Sequence, residues 1–392
     1  PTSPLNPTGA LRRRGSHSEG SRSVSSFSLS SLPLFSPRGL ARGLAMRFQS
    51  TALRGFRNFG TVRRMDWGPG LNLILGPNGV GKTNLLESLN VLSGWGTFSG
   101  RVSAAVAWNS PDGRALLAAR TSGERDVEVS VLLSSRMTLK VDGERVSGSE
   151  LRVRLPSLSF LPTDIDLIDG PSSVRRRFLD KLCALCIPSY ARRLSEYRQL
   201  VRHRIALLRQ GRSPARTTLP FARLGGWILE SRRRVLDRML EGLETEPSFF
   251  PLSLPFPFVL RAEPEIAGSG SDFLLGALEA TAEREARACR PLAGPHRDDL
   301  VVSCLGRPAS AALSRGQKRR LVVSLILMAG RFVGTYLRAQ PVLLLDDLGA
   351  ELDAAGRREA GSALLGTGWQ VFVTGTENPF PEVPAQICSL GR

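Results

Sequence analysis

Residues Gly76-Pro77-Asn78-Gly79-Val80-Gly81-Lys82-Thr83 match G-x-x-x-x-G-K-[ST] and stand between a short apolar run, Leu71 to Leu75, and a stretch with helical spacing at Leu85, Leu86, Leu89 and Leu92. A strand, a glycine-rich turn and a helix in that order make an anion cradle, because the glycines let the backbone curl until its N–H groups and the helix N-terminus face phosphate oxygens. The pattern assigns ATP phosphates to Gly76 through Thr83 and to Asn84. In it Lys82 neutralises β/γ oxygens and the Thr83 hydroxyl ligates Mg2+. The chain has four lysines, Lys82, Lys140, Lys181 and Lys318, so a Lys at the motif position carries weight.

A second apolar run, Val342 to Leu345, ends in Asp346-Asp347, as a Walker B strand requires. Asp346 is expected beside the loop, holding Mg2+, and Asp347 where it can orient or deprotonate the attacking water. Leu313-Ser314-Arg315-Gly316-Gln317 opens a helix between the two motifs. Alone, S-x-G-Q reads as an ordinary N-cap. In the order P-loop, S-x-G-Q, acidic strand end, it resembles the signature sequence of the ABC-type ATPases, in which a Ser and a Gly bind a γ-phosphate held by another protomer's P-loop. That resemblance makes Ser314, Gly316 and Gln317 nucleotide-binding candidates and groups Ser314 with Lys82 and Asp347 as catalytic. Ala350-Glu351-Leu352-Asp353 follows as a D-loop-like segment. Thr374-Gly375-Thr376 ends the next strand where transport-type relatives usually carry a switch His, which leaves Thr374 or Thr376 as γ-phosphate sensor.

At 392 residues the chain is long enough for two or three compact units. Strands are expected at 114–120, 126–133, 136–141, 156–160, 300–305, 341–345 and 369–374. Helices are expected at 84–92 and about 317–337. Between Ser172 and about Glu246 the pattern turns helical. Tyr190, Leu194, Tyr197, Val201, Ile205 and Leu208 form one apolar seam, a loop follows with Gly211, Pro214 and Pro220, and Trp227 to Leu243 makes a second amphipathic helix. Two antiparallel helices packed along their seams fit this pattern. A Pro-, Phe- and Gly-rich stretch, Pro247 to Gly270, leads to a helix over 273–290. The fold class is therefore α/β: one P-loop ATPase domain, its parts at 46–165 and 291–392, split by a basic helical arm or lid insertion at 166–290.

Residues 1–45 hold eleven Ser, six Arg, five Pro and one acid, Glu19, a composition that cannot bury enough apolar surface to order itself. It resembles a transit peptide superficially, but the ordered pattern begins right after Met46, which is taken as the native start. The segment carries +5 of the formal +18, so +13 remains on the other 347 residues. A surface that basic attracts polyanions, nucleic acid first and anionic membrane second. From Arg175 to Arg216 there are twelve Lys or Arg against Asp180 and Glu196. Arg175, Arg176, Arg192, Arg193, Arg202 and Arg204 are the DNA-contact candidates, with Arg232-Arg233-Arg234 adding to the patch. Without interleaved aromatics, contact with the duplex backbone is expected, not base stacking.

Five scattered cysteines argue for a reducing compartment, hence a cytoplasmic location. Cys183 and Cys186 form a C-x-x-C within an apolar helical stretch and read as core residues, since no second ligand pair stands at zinc spacing. The longest apolar run, Leu321 to Gly330, falls short of the roughly 20 residues that span a bilayer, so no membrane partner is expected. His296 sits in a Gly-Pro turn and reads as structural.

Lys82 and Ser314 are 232 positions apart, far more than in transporter subunits, and no Gln loop is visible. With Leu53 to Phe59, Gly76 to Leu86, Ser159 to Asp164, Gly170 to Asp180, Ser195-Glu196-Tyr197, Gly294 to Leu300 and Leu343 to Asp353, the chain resembles the RecF family of bacterial recombinational-repair ATPases from Met46 nearly to its end. Thr163 and Arg315 depart from the usual family residues. The resemblance implies a weak, DNA-stimulated ATPase that dimerises on ATP and clamps duplex DNA at gaps or junctions. It also implies RecR and RecO as partners and a part in RecA loading and the SOS response. The rival reading is an ABC-type ATPase subunit that does not act on DNA.

Overall fold

A computed structural model of the chain describes residues 46–391 apart from 99, 124, 246–257 and 267. The expected N-terminal tail, 1–45, lies outside them. Strands β1 (Arg47–Arg54), β2 (Arg63–Asp66) and β3 (Leu71–Leu75) precede the helix Lys82–Leu92. β4 (Ala115–Ser122), β5 (Val127–Leu133), β6 (Met137–Val141) and β7 (Glu144–Val146) lead through the helix Gly148–Arg154 to β8 (Ser157–Phe160). Helices Ser172–Cys186, Tyr190–Arg209 and Ala215–Thr245 follow, then β9 (Phe258–Glu263), helix Gly270–Ala288, β10 (Asp299–Cys304) and β11 (Arg307–Pro308). Helix Arg315–Leu337, β12 (Val342–Leu345), helix Ala354–Gly366, β13 (Val371–Gly375) and β14 (Gln386–Ser389) complete the order.

Five parallel strands in the order β14-β3-β13-β12-β8 form the central sheet. β12 and most of β13, at the centre of the sheet, read as apolar runs because both of their faces are covered, and the period of two sorts the sheet's side chains between two cores. Leu71, Leu73, Leu343, Leu345, Val371 and Val373 face a core shared with helices 172–186 and 315–337. Ile74, Val342, Leu344 and Phe372 face the other core, with Leu85, Leu86, Leu89 and Leu92 of the P-loop helix. An antiparallel sheet, β2-β1-β4-β5-β6-β7, closes over that second core with Leu53, Leu117, Val129, Val131 and Val141. The P-loop helix is thus buried between two sheets, and only its N-terminus reaches solvent.

Three expectations change. The second helix of the insertion starts at Ala215, not at Trp227, and it carries Pro220 inside it. Proline lacks one N–H and crowds the carbonyl four residues back, a defect best tolerated near a helix start, where the Thr217 hydroxyl donates to Pro214 O at 2.7 Å. The Pro-rich stretch 247–270 contains a strand, β9, which pairs antiparallel with β10 from Asp299↔Glu263 to Cys304↔Phe258. Helix Arg315–Leu337 is long and apolar enough to cross a bilayer, yet 67% of its most apolar stretch is buried in the protein. Cys183 and Cys186 lie in the same core, where burial pushes both thiols up.

Candidate nucleotide site

Parallel strands deliver their C-terminal ends to one edge of the sheet, and four segments meet there. After β3 comes the loop Gly76–Lys82, with Gly79 and Gly81 at φ 82° and 106°, backbone that favours glycine. Lys82 Nζ donates to Gly76 O at 2.7 Å and Pro77 O at 2.9 Å, which holds the ammonium across the loop. After β12 comes Asp346, and the Thr83 hydroxyl lies 3.0 and 2.9 Å from its two carboxylate oxygens. After β13, Thr374 donates to Asp346 Oδ1 at 2.6 Å and accepts from Asp347 N at 2.9 Å. After β8, Phe160 O accepts from Asp346 N at 2.9 Å.

Asp346 is 6% exposed, and its side-chain hydrogen bonds go to two neutral hydroxyls; no cationic side chain among the described residues pairs with it. A buried carboxylate without a counter-charge is costly. Together with the Thr83 hydroxyl it makes an all-oxygen donor set, the kind Mg2+ takes. These residues fit that ion.

Thr374 is buried and spent on Asp346 and Asp347, which leaves its neighbour Thr376 exposed. Thr376 lines a cleft of about 640 Å3 with Asp347, Gly349, Ala350 and Asn378. Asp347 itself takes φ 50° and opens the short helix Leu348–Glu351. Ser314 does not join this cluster. It is exposed and caps helix 315–337 in a closed box: its hydroxyl accepts from Gln317 N at 3.4 Å, and its N–H donates to Gln317 Oε1 at 2.8 Å. Gly316 is exposed beside it. Lys318, one turn on, pairs with Asp169 at 2.8 Å.

The six arginines divide by helix face. Arg204 is 3% exposed and pairs with Glu285 at 2.9 Å. Arg175 forks onto Asp299 at 2.7 and 2.8 Å, and Arg176 donates to Asp298 O at 2.6 Å. These three make contacts within the chain, Arg204 buried and Arg175 and Arg176 half-buried. Arg192 and Arg202 are exposed, and Arg193 lies over the Trp227 ring at 4.3 Å. Composition could not make this division. Arg202 and Arg204 differ by two positions, about 200° around a helix, so one faces solvent and the other the core. Arg232 is also internal, pairing with Asp180 at 2.8 Å and Asp298 at 2.6 Å.

Residues 48–390 match the RecF/RecN/SMC N terminal domain family. The DNA replication and repair protein RecF of Heliobacterium modesticaldum is 31% identical over 348 residues, 84% of this chain and 92% of that protein. The chain belongs to the RecF family. A second RecF, from Rhizobium etli, is 32% identical over 347 residues, 83% of this chain and 91% of that protein. Among solved structures, the recombination mediator protein RecF-ATPrS in the RecFOR pathway superposes with a TM-score of 0.77 at 22% identity, covering 89% of this chain and 97% of that one. The RecF-ATP form of the RecFOR pathway gives 0.75 at 23% identity, covering 87% and 94%. The fold is that of an ABC-type ATPase of mixed α/β content, as in the solved RecF structures.

Proposed function

We propose that the chain is an ATP-dependent DNA clamp of replication and repair. The observation that carries this reading is the buried, uncompensated Asp346 carboxylate set against Thr83 at the mouth of the Gly76–Thr83 loop. The loop N–H groups and Lys82 bind the ATP phosphates, and Asp347 orients or deprotonates the attacking water. Thr83 and Asp346 would hold Mg2+, which when bound would supply charge neutralisation at the phosphates. Ser314 and Gln317 cap their own helix and, with exposed Gly316, complete the site of a second copy, so that ATP drives dimerisation. Thr376, exposed beside Asp347, is the γ-phosphate sensor.

The insertion at 166–290 presents Arg192, Arg193 and Arg202 to DNA phosphates, and weak hydrolysis reopens the dimer. The names of the relatives support replication and repair as the setting, and the RecFOR pathway of the solved RecF proteins supports RecR and RecO as partners. Action at gaps or junctions, RecA loading, the SOS response and a cytoplasmic location extend the same reading.

ATP turnover and DNA retention, measured at low salt with and without gapped duplex, test it. Wild type should bind DNA and hydrolyse faster on it, Lys82→Ala should lose ATP binding, and Ser314→Ala should bind ATP without dimerising. DNA that neither binds nor changes turnover sinks the clamp.

A further inference from the structure

Asn58 lies outside every nucleotide motif in the sequence, yet it touches the phosphate loop at three points. It sits in the tight turn Phe56–Phe59, whose ends exchange backbone bonds at 3.1 and 2.7 Å. Arg57, at φ 52°, forks onto Glu87 of the P-loop helix at 2.7 and 2.8 Å and so docks the turn. Asn58 Nδ2 then donates to Val80 O at 2.9 Å, and Asn84 Nδ2 donates to Asn58 Oδ1 at 2.8 Å. The third contact is steric. A Cβ on Gly81 would stand 2.6 Å from Asn58 Oδ1, so the amide packs directly against the Gly81 backbone. Val80, Asn84 and Glu87 are spaced four and three, which places all of these anchors on one side of the chain as it enters the helix.

We propose that Asn58 is a positioning residue for ATP, acting through the Val80–Gly81 peptide. This rests on the ATP-binding reading of the loop. In a trans peptide the C=O and the following N–H point in opposite directions. Holding Val80 O on Asn58 therefore aims the Gly81 N–H away from Asn58, toward the phosphates. Gly81 tolerates either peptide orientation because it has no Cβ, so the loop by itself does not select one. Asn58 does, and because the turn prolongs β1, it ties the phosphate loop to the antiparallel sheet.

The test uses the full chain, a fluorescent ATP analogue for Kd, steady-state ATPase for KM and kcat, and melting without nucleotide. Asn58 is exposed, so Asn58→Ala should melt close to wild type. Its Kd and KM should rise about tenfold while kcat changes far less, as expected when ground-state binding is lost. Asn58→Asp keeps the acceptor for Asn84 but cannot donate to Val80 O, and it sets a negative charge beside the phosphates. It should bind more weakly than Asn58→Ala, and the excess loss should shrink in high salt. Asn84→Ala removes one of the two bonds and should fall between wild type and Asn58→Ala. Wild-type binding with Asn58→Ala within twofold of it overturns this inference alone, as does a lower melting temperature with Kd unchanged. A wild type that binds no ATP overturns the functional reading and this inference with it.

Discussion

Thr83 and Asp346, 263 positions apart in the chain, meet with the hydroxyl of one 2.9 and 3.0 Å from the two carboxylate oxygens of the other. Asp346 is buried among neutral partners, so its charge costs stability that the hydroxyl contacts only partly offset. Asp346→Asn removes that charge. Its melting temperature without nucleotide should equal or exceed wild type, and Mg2+-dependent ATP binding should fall by at least tenfold. Melting curves with and without Mg2+ and ATP check both halves.

Arg202 and Arg204 allow the proposed DNA contact to be tested apart from folding. Arg202→Ala should leave stability within about 0.5 kcal/mol and lower the slope of log affinity for DNA against log salt by about 1. Arg204→Ala strands Glu285 in the core and should cost about 3 kcal/mol in urea unfolding. Equal stabilities for the two variants would refute the assignment.

Arg232 sits 3% exposed between two carboxylates, Asp180 and Asp298. Burial pushes the Asp298 carboxyl up to about 6 despite this partner. Arg232→Met leaves two acids facing each other and should lose about 4 kcal/mol, part of which Arg232→Met with Asp298→Asn should restore. Chemical denaturation of the three proteins at one pH decides it.

His296 accepts from the Tyr197 hydroxyl at Nδ1, 2.8 Å, since Nε2 must donate to Pro291 O at 3.2 Å. Burial holds its pKa below the ordinary value, opposed by the Pro291 bond. The unfolded chain therefore takes up a proton below about pH 6.5 that the folded chain refuses, so this residue's contribution to stability falls as pH drops from there. The stability difference between wild type and His296→Gln should shrink between pH 7 and 5. A difference that is flat with pH refutes this.

Local order was legible where one short segment holds both the physical cause and its effect. The Gly76–Thr83 loop, the apolar strand ending at Asp346 and the Ser314 cap each follow from neighbours within a few residues, so spacing and residue type determined them. Period alone also placed helix 190–209, because an apolar seam at three and four residues has one helical solution. The start of helix 215–245 was not legible, because Pro220 is a breaker by propensity and is accommodated only in the folded context.

Sequence by itself determined a phosphate-binding chain of the P-loop kind with a basic helical insertion. Tertiary structure decided which polar groups have partners. It spent Thr374 on Asp346, paired Arg175 and Arg176 with the Asp298–Asp299 segment, buried Arg204 against Glu285, and brought Asn58 onto Val80. Those outcomes depend on which distant carboxylate or carbonyl arrives within about 3 Å, a relation that no local spacing encodes.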